Sequence, residues 1–431
     1  MTAAPPPQPG PSREPSLDLD RDPNPRSGSG SDLDLTAPPA QPHAGLKARL
    51  AAAVVAAGPQ LIDLSHALHA DPEPAFEEHR AAQRVAAAVA AAGYQVEHPA
   101  GRLPTAVRAT LDGGLGTDGP TIGILAEYDA LPGLGHGCGH NTMAASGVGA
   151  ALALAAVAAD LRGRIVLLGT PAEERGSGKQ MMLDDGLFDG LDAALLFHPG
   201  DRTQVACALL ASEDIDVTFT GLAAHAAGEP WMGRNALDAL ILLFTSVGLW
   251  RQQLRPDARV HGIVLEGGTA ANIIPERAVA RFMIRSIEDE PFAAMGAHFD
   301  ELVEAAALAS GTHGQAVHSG RSDTMHDNAT LAARFRANLA AYGVADEPVD
   351  LEHLGSSDMG NVSHVLPTIH PTIAICPEGV PGHSVAFREA AAAPRADAVT
   401  LLAATVVGQT AIDLLAEPDL VAAAWQDFRA R

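Results

Sequence analysis

From about residue 44 to 93, apolar side chains recur at three- and four-residue spacing among strong helix formers, a pattern that predicts helix throughout. Beyond it, short continuous apolar runs alternate with helical patterns. Thr105–Leu111, Thr121–Ala126, Arg164–Gly169 and Ala193–Phe197 predict strands, separated by an Ala-rich helix over 141–160 and a short helix over 179–187. Strands that are apolar along their whole length have both faces covered, so this half predicts an α/β sheet flanked by helices.

The periodicity changes after about residue 212. Glu213–Thr220 alternates polar and apolar positions, as a strand with one wet face does. A helix over 235–252, strands over 260–266 and 277–286, a helix over 291–310 and a strand near 315–320 complete the order β-α-β-β-α-β. That is the order of a ferredoxin-like module. Residues 328–342 return to helix, and the apolar run Thr372–Cys376 with the helix 394–416 resumes the first style. The arrangement implied is a discontinuous α/β domain with a mixed sheet, residues 45–210 and 321–431, interrupted by an inserted α+β domain over 211–320.

Residues 1–44 differ from all of this. They are rich in Pro, Gly, Ser and Asp without hydrophobic periodicity, which predicts a disordered tail. No apolar segment follows Met1, so no signal peptide is expected, and the Ala-rich runs at 51–57 and 86–92 fall short of a membrane span. Three cysteines (Cys138, Cys207 and Cys376) do not make a disulfide framework, which fits a reducing compartment and a soluble, cytoplasmic protein. A formal net charge of -24 argues against a nucleic-acid partner, because phosphate binding needs a basic face.

The chemistry concentrates at predicted strand ends. Glu127-Tyr128-Asp129-Ala130-Leu131-Pro132-Gly133 and then Gly137-Cys138-Gly139-His140-Asn141 follow one buried strand and run into a helix. In open α/β sheets, ligands gather outside the carboxyl ends of the strands. A single glycine between Cys138 and His140 lets a thiolate and an imidazole converge on one point. The next strand ends in Ala172-Glu173-Glu174, where adjacent carboxylates point apart, so Glu174 can bind a metal while Glu173 faces its water. A third strand ends at His198, and His383 follows the Thr372–Cys376 run. Cys138, His140, Glu174, His198 and His383 are thus candidate ligands for two divalent ions, Zn²⁺ suiting the donor mix and Mn²⁺ or Co²⁺ being compatible with it. Two metals sharing a water would acidify it and polarise a carbonyl, with Glu173 taking the proton. His136, His313, His318 and His370 lack comparable context and are expected to be structural or surface residues, and Cys207 and Cys376 small buried hydrophobes.

Together these motifs resemble metallopeptidase family twenty, the aminoacylase and carboxypeptidase group, from about residue 45 to the end. The amidohydrolase branch that includes aminobenzoyl-glutamate hydrolase is the most similar, on the segments around Glu127 and Cys138 and on Ser357-Asp358-Met359-Gly360-Asn361-Val362-Ser363. The resemblance implies that Cys138 is shared by both metals and that Asp129 supports the ligands. Other branches have a ligand His where this chain has Glu127, and His140 would supply that imidazole. It also implies that the inserted domain is a lid through which a homodimer forms. His225, in Gly221-Leu222-Ala223-Ala224-His225-Ala226, would stabilise the tetrahedral oxyanion, often from the partner subunit. Asn272 and Arg285 would hold the carboxylate of a small amide or dipeptide substrate.

The expected activity is metal-dependent hydrolysis of an amide in a substrate with a free carboxylate. Two other readings stand beside it. A cysteine amidase with Cys138 as nucleophile leaves Glu173, Glu174 and His198 without a task, and a non-enzymatic metal- or peptide-binding relative would not need the complete set.

Overall fold

The computed structural model describes Leu35 and residues 42–349, 351 and 354–431, so the expected disordered tail lies almost wholly outside the described residues. Two helices, α1 (Ala44–Ala70) and α2 (His79–Ala91), replace the single one expected over 44–93. The break has a local cause: Pro72 and Pro74 each lack an N–H and push the preceding residue out of helical geometry. The Glu73 carboxylate then accepts the N–H groups of Arg80 and Ala81, both at 2.8 Å, satisfying two open donors in the first turn of α2.

The main sheet has six strands in the order β1-β2-β4-β3-β5-β11. They are β1 (Gln95–Glu97), β2 (Val107–Asp112), β3 (Thr121–Glu127), β4 (Arg164–Thr170), β5 (Ala193–Leu195) and β11 (Thr368–Ile369). β3, β4, β5 and β11 are parallel and β2 runs against β4, so the sheet is mixed. The carboxyl ends of four strands therefore share one edge. The apolar run from Ala193 does not stay in this sheet to Phe197; β6 (His198–Gly200) instead pairs in parallel with β12 (Thr372–Ala374) as a separate two-stranded unit. Pro199 has no N–H to extend a ladder, which suits so short a pair.

Helix α3 (His140–Val157) lies against β3 and β4 and packs between α1 and α10 (Pro394–Ala416). By length and composition alone α1, α3 with its following turn, and α10 could each cross a membrane, a property not evident from the runs at 51–57 and 86–92. For α3 and α10 the apolarity serves the core, since 72% and 89% of their most apolar windows are buried inside the protein.

A second sheet follows, built from β7 (Ala211–Thr220), α5 (Ala236–Trp250), β8 (Arg259–Glu266), β9 (Arg277–Ser286), α6 (Asp289–Ser310) and β10 (His313–Ser322). Its strands are all antiparallel in the order β10-β7-β9-β8. Alternate residues of β9 are buried, and Phe219, Phe282, Phe299 and Leu240 form a core of their own between this sheet and its two helices. α4 (Gly178–Asp184) connects β4 to β5, and after β10 the chain returns to the main sheet through α7 (Ala329–Ala340) and α8 (Met359–Ser363), with α9 (Val385–Ala390) and α11 (Pro418–Arg429) following.

Candidate metal centre

The turn after β3 brings the first two donors into place. Gly139 has φ +80° at the start of α3, and a Cβ there would lie 2.6 Å from Cγ of Pro199. Only glycine meets both conditions, and it lets Cys138 and His140 close on the strand that carries His198. After β4, Ala172 takes a left-handed φ of 59°, and its N–H donates to the buried Glu78 carboxylate at 2.8 Å. That kink turns Glu173 and Glu174 into the cleft. Asp129 then links the two segments: its Oδ2 accepts the Glu174 N–H at 2.9 Å while its Oδ1 lies 3.2 Å from Nδ1 of His140. The His383 N–H donates to the Gly137 carbonyl at 2.9 Å, so the loop before α9 is fastened to the Cys-Gly-His turn.

Five side chains thereby form two donor triads that share one sulfur. Cys138, His140 and His198 make one group with all ligand atoms within 4.8 Å, and Cys138, Glu174 and His383 make the other. Cys138 Sγ lies 3.6 Å from Nε2 of His198, and Nε2 of His383 lies 3.4 Å from Oε2 of Glu174. Ligand bonds of about 2.1 Å to nitrogen or oxygen and about 2.3 Å to sulfur give tetrahedral edges of roughly 3.4–3.6 Å. The donor spacing fits the ions.

The tautomers fit as well. His140 directs Nδ1 to the Asp129 carbonyl at 3.0 Å, and His198 donates Nδ1–H to the Pro199 carbonyl at 2.6 Å. Each leaves Nε2 toward the centre, and Nε2 of His140 and Oε1 of Glu174 are buried without a hydrogen-bond partner. Burial, with His370 and His140 nearby, pulls the His198 imidazole down to about 3, which keeps it neutral for ligation. Burial pushes the Cys138 thiol well up, with the Glu174 carboxylate adding to the effect. A thiol so raised does not serve as a free nucleophile; it ionises when a cation stands beside it. This speaks against a cysteine amidase.

Glu173 stands over the first triad, with Oε2 3.9 Å from Nε2 of His140 and a side chain only 9% exposed. Burial first, then the Glu127 and Glu174 carboxylates, hold it well above the usual carboxylate range. The cleft in front of these groups has a volume of about 510 Å³ and is closed on its far side by the second sheet, through Asp214, Met283 and Arg285. Arg285 donates Nε–H to Sδ of Met283 at 3.1 Å, and neither Arg285 nor the cleft residue Arg175 forms an ion pair among the described residues. His225 and Asn272 lie elsewhere. Both are exposed, joined by the bridge from His225 to Ile273 and by the Ala226 N–H donating to the Asn272 carbonyl at 3.1 Å, and neither lines the cleft.

The site also holds residues that the sequence did not single out. His370, expected to be structural or on the surface, lines the cleft with its ring centroid 5.2 Å from that of His198. It follows β11, a two-residue strand too short to read from periodicity, and so emerges at the same sheet edge as the other ligands. Cys207, expected to be a buried hydrophobe, is half-buried in the cleft wall with Sγ 3.8 Å from Nδ1 of His370. Lys179, wholly buried at the start of α4, bridges Glu127 and Asp358 at 2.6 and 2.5 Å. Its only sequence signal is a lysine two residues beyond Gly176-Ser177, among loop residues where lysines are normally solvated.

The family model for Peptidase family M20/M25/M40 matches residues 123–405, a span that contains the whole donor set. The chain belongs to this family. Within it, the chain is 36% identical over 402 residues to the Xaa-Arg dipeptidase of Mus musculus, covering 90% of this chain and 93% of that protein. It is 32% identical over 305 residues to a p-aminobenzoyl-glutamate hydrolase chain of Escherichia coli (strain K12), covering 66% and 63% of the two chains. Among solved structures, an aminohydrolase from methicillin resistant Staphylococcus aureus shares the fold with a TM-score of 0.70 at 20% identity, covering 85% of this chain and 99% of that one. The Bacillus subtilis YXEP protein, described as a dinuclear metal binding peptidase from the M20 family, gives a TM-score of 0.60 at 21% identity, covering 82% and 99%. Membership of the M20 family makes the chain a metal-dependent hydrolase acting on amide bonds.

Proposed function

We propose that this M20 hydrolase cleaves the amide of a dipeptide, an N-acyl amino acid or an aminobenzoyl-glutamate with a free carboxylate, using two divalent ions, Zn²⁺ best matching the donors. The observation that carries this reading is the shared sulfur of Cys138 between two complete donor triads. Cys138, His140 and His198 would hold one ion, and Cys138, Glu174 and His383 the other. When bound, such ions supply an acidified water and a polarised substrate carbonyl. Glu173 receives the water's proton and delivers it to the leaving amine nitrogen; its raised affinity for protons suits that shuttle. Asp129 keeps Nδ1 of His140 engaged, so that Nε2 remains the ligating atom. A cleft of about 510 Å³ is the size of a small-molecule pocket, and a reduced Cys138 suits a cytoplasmic setting.

Arg285, which lines the cleft from β9 and has no ion-pair partner among the described residues, is the group for the substrate's carboxylate. Arg285→Ala is expected to raise KM by about 10–100-fold with a smaller change in kcat, the loss of one charge-assisted pairing. A panel of N-acyl amino acids and dipeptides on metal-loaded enzyme tests this. Equal KM for wild type and variant on the best substrate would remove Arg285 from carboxylate binding.

In this reading residues 211–320 act as a lid and dimerisation domain, the remainder from 45 onwards as the catalytic domain, and His225 completes the site of a second copy. Nδ1 of His225 accepts the N–H groups of Ala227 and Gly228 at 3.2 and 3.0 Å, which leaves Nε2 as a donor suited to an oxyanion. The edge strand β8 exposes Ile263, Val264 and Leu265, and α5 exposes Ile241 and Leu249, an apolar surface of the kind homodimers cover. Asn272, beside His225, would reach the same substrate. Mixing inactive His225→Ala and Glu173→Ala chains should recover about a quarter of wild-type activity, since half of the dimers are mixed and each has one intact composite site. No recovery after exchange of chains would assign His225 to its own chain or to no role.

A further inference from the structure

Behind the first donor triad lies a second layer of charge. Lys179, Glu127 and Asp358 are each fully buried. Nζ of Lys179 lies 2.6 Å from Oε1 of Glu127 and 2.5 Å from Oδ1 of Asp358, and the Lys179 N–H donates to Oδ2 of Asp358 at 2.8 Å. Three elements converge here: Glu127 ends β3, Lys179 begins α4 immediately beyond the Glu173–Glu174 loop, and Asp358 precedes α8. The free oxygen of Glu127, Oε2, points at the metal side, 3.2 Å from Nε2 of His140. Three buried charges are a poor way to stabilise a fold, because desolvation offsets their attraction and an apolar trio of the same volume does as well. Their arrangement instead resembles what surrounds a bound ion, where outer carboxylates fix the ligands and add negative potential.

We propose that Lys179 and Asp358 clamp Glu127 as a positioning residue for the Cys138–His140–His198 half of the centre, so that its fixed negative charge strengthens the binding of that ion in preference to the other. His140 is then held at Nδ1 by Asp129, and the clamped Glu127 carboxylate stands 3.2 Å from Nε2, on the side where the ion would bind. Asp358 neutralises Lys179, leaving the Glu127 charge to act on the ion. Among the described residues no hydrogen bond or ion pair joins Glu174 or His383 to Lys179, Glu127 or Asp358. The inference rests on the two-metal reading above.

The test is metal binding, measured by equilibrium dialysis and by the visible spectrum of the Co²⁺-loaded protein. Glu127→Gln keeps the size of the side chain and leaves Lys179 and Asp358 balanced, so the variant is expected to fold. It should bind one ion as the wild type does and the other about 10–100-fold more weakly, the usual effect of an outer carboxylate. The thiolate-to-Co²⁺ band from Cys138 should persist at the first equivalent. The triple variant K179M/E127Q/D358N removes every charge in the triad without leaving one unpaired, and it should show the same selective loss with normal thermal unfolding. Two ions bound with wild-type affinity in either variant would make the triad merely structural and overturn the proposal. Equal weakening of both ions would overturn its preference for the His140 half. Wild-type protein that binds fewer than two ions would instead defeat the two-metal reading itself.

Discussion

Glu173→Ala is expected to lower kcat by about 10²–10⁴-fold, the usual contribution of a positioned general base, while leaving metal content near two ions per chain. The physical basis is its place beside the ligands without membership of either triad: Cys138, His140 and His198 on one side and Cys138, Glu174 and His383 on the other are complete without it. Stability should not suffer. Glu173 is buried against the carboxylates of Glu127 and Glu174, so its removal relieves like-charge crowding. Elemental analysis together with steady-state kinetics checks both halves of the expectation. Retained turnover, or loss of metal along with turnover, would take Glu173 out of the role of base.

Cys138→Ala is expected to have the larger effect on binding, because one substitution removes a donor from both triads. Both ions should be lost at ordinary metal concentrations and activity should fall to background. A chelator should do the same to the unaltered chain, reversibly, with Zn²⁺, Mn²⁺ or Co²⁺ restoring turnover. A thiol enzyme behaves in the opposite way: it survives the chelator and dies with the cysteine. The raised thiol of Cys138 already disfavours that chemistry, and activity persisting in excess chelator would be the result that revives it.

The five candidate donors stand out in the chain because each sits at a position where local pattern and chemistry coincide. Buried strands such as Ile165–Leu168 end abruptly in polar groups, and the glycines that flank Cys138 mark a tight turn that brings a thiol and an imidazole together. His370 could not be read this way. Its strand is two residues long and earns its place in the sheet only by pairing with β5. Lys179 was equally hidden, since a lysine becomes a buried charge only when carboxylates from distant parts of the chain surround it. Arg285 and His225 show the limit from the other side. Both lie in the second sheet and its loops, yet one faces the cleft and the other does not, a distinction that depends on how that sheet is seated against the first.

By itself the sequence determined the α/β character of the chain, the change of periodicity near residue 212 and a set of five candidate donors, all of which follow from local repeat and side-chain chemistry. The tertiary structure alone decided that Cys138 stands between two triads, that Glu127 is clamped from behind by Lys179 and Asp358, and that His225 lies outside its own cleft. These are distances between segments up to 245 residues apart, Cys138 to His383 being the widest. Such distances are set by how helices and sheets pack, which no local repeat encodes.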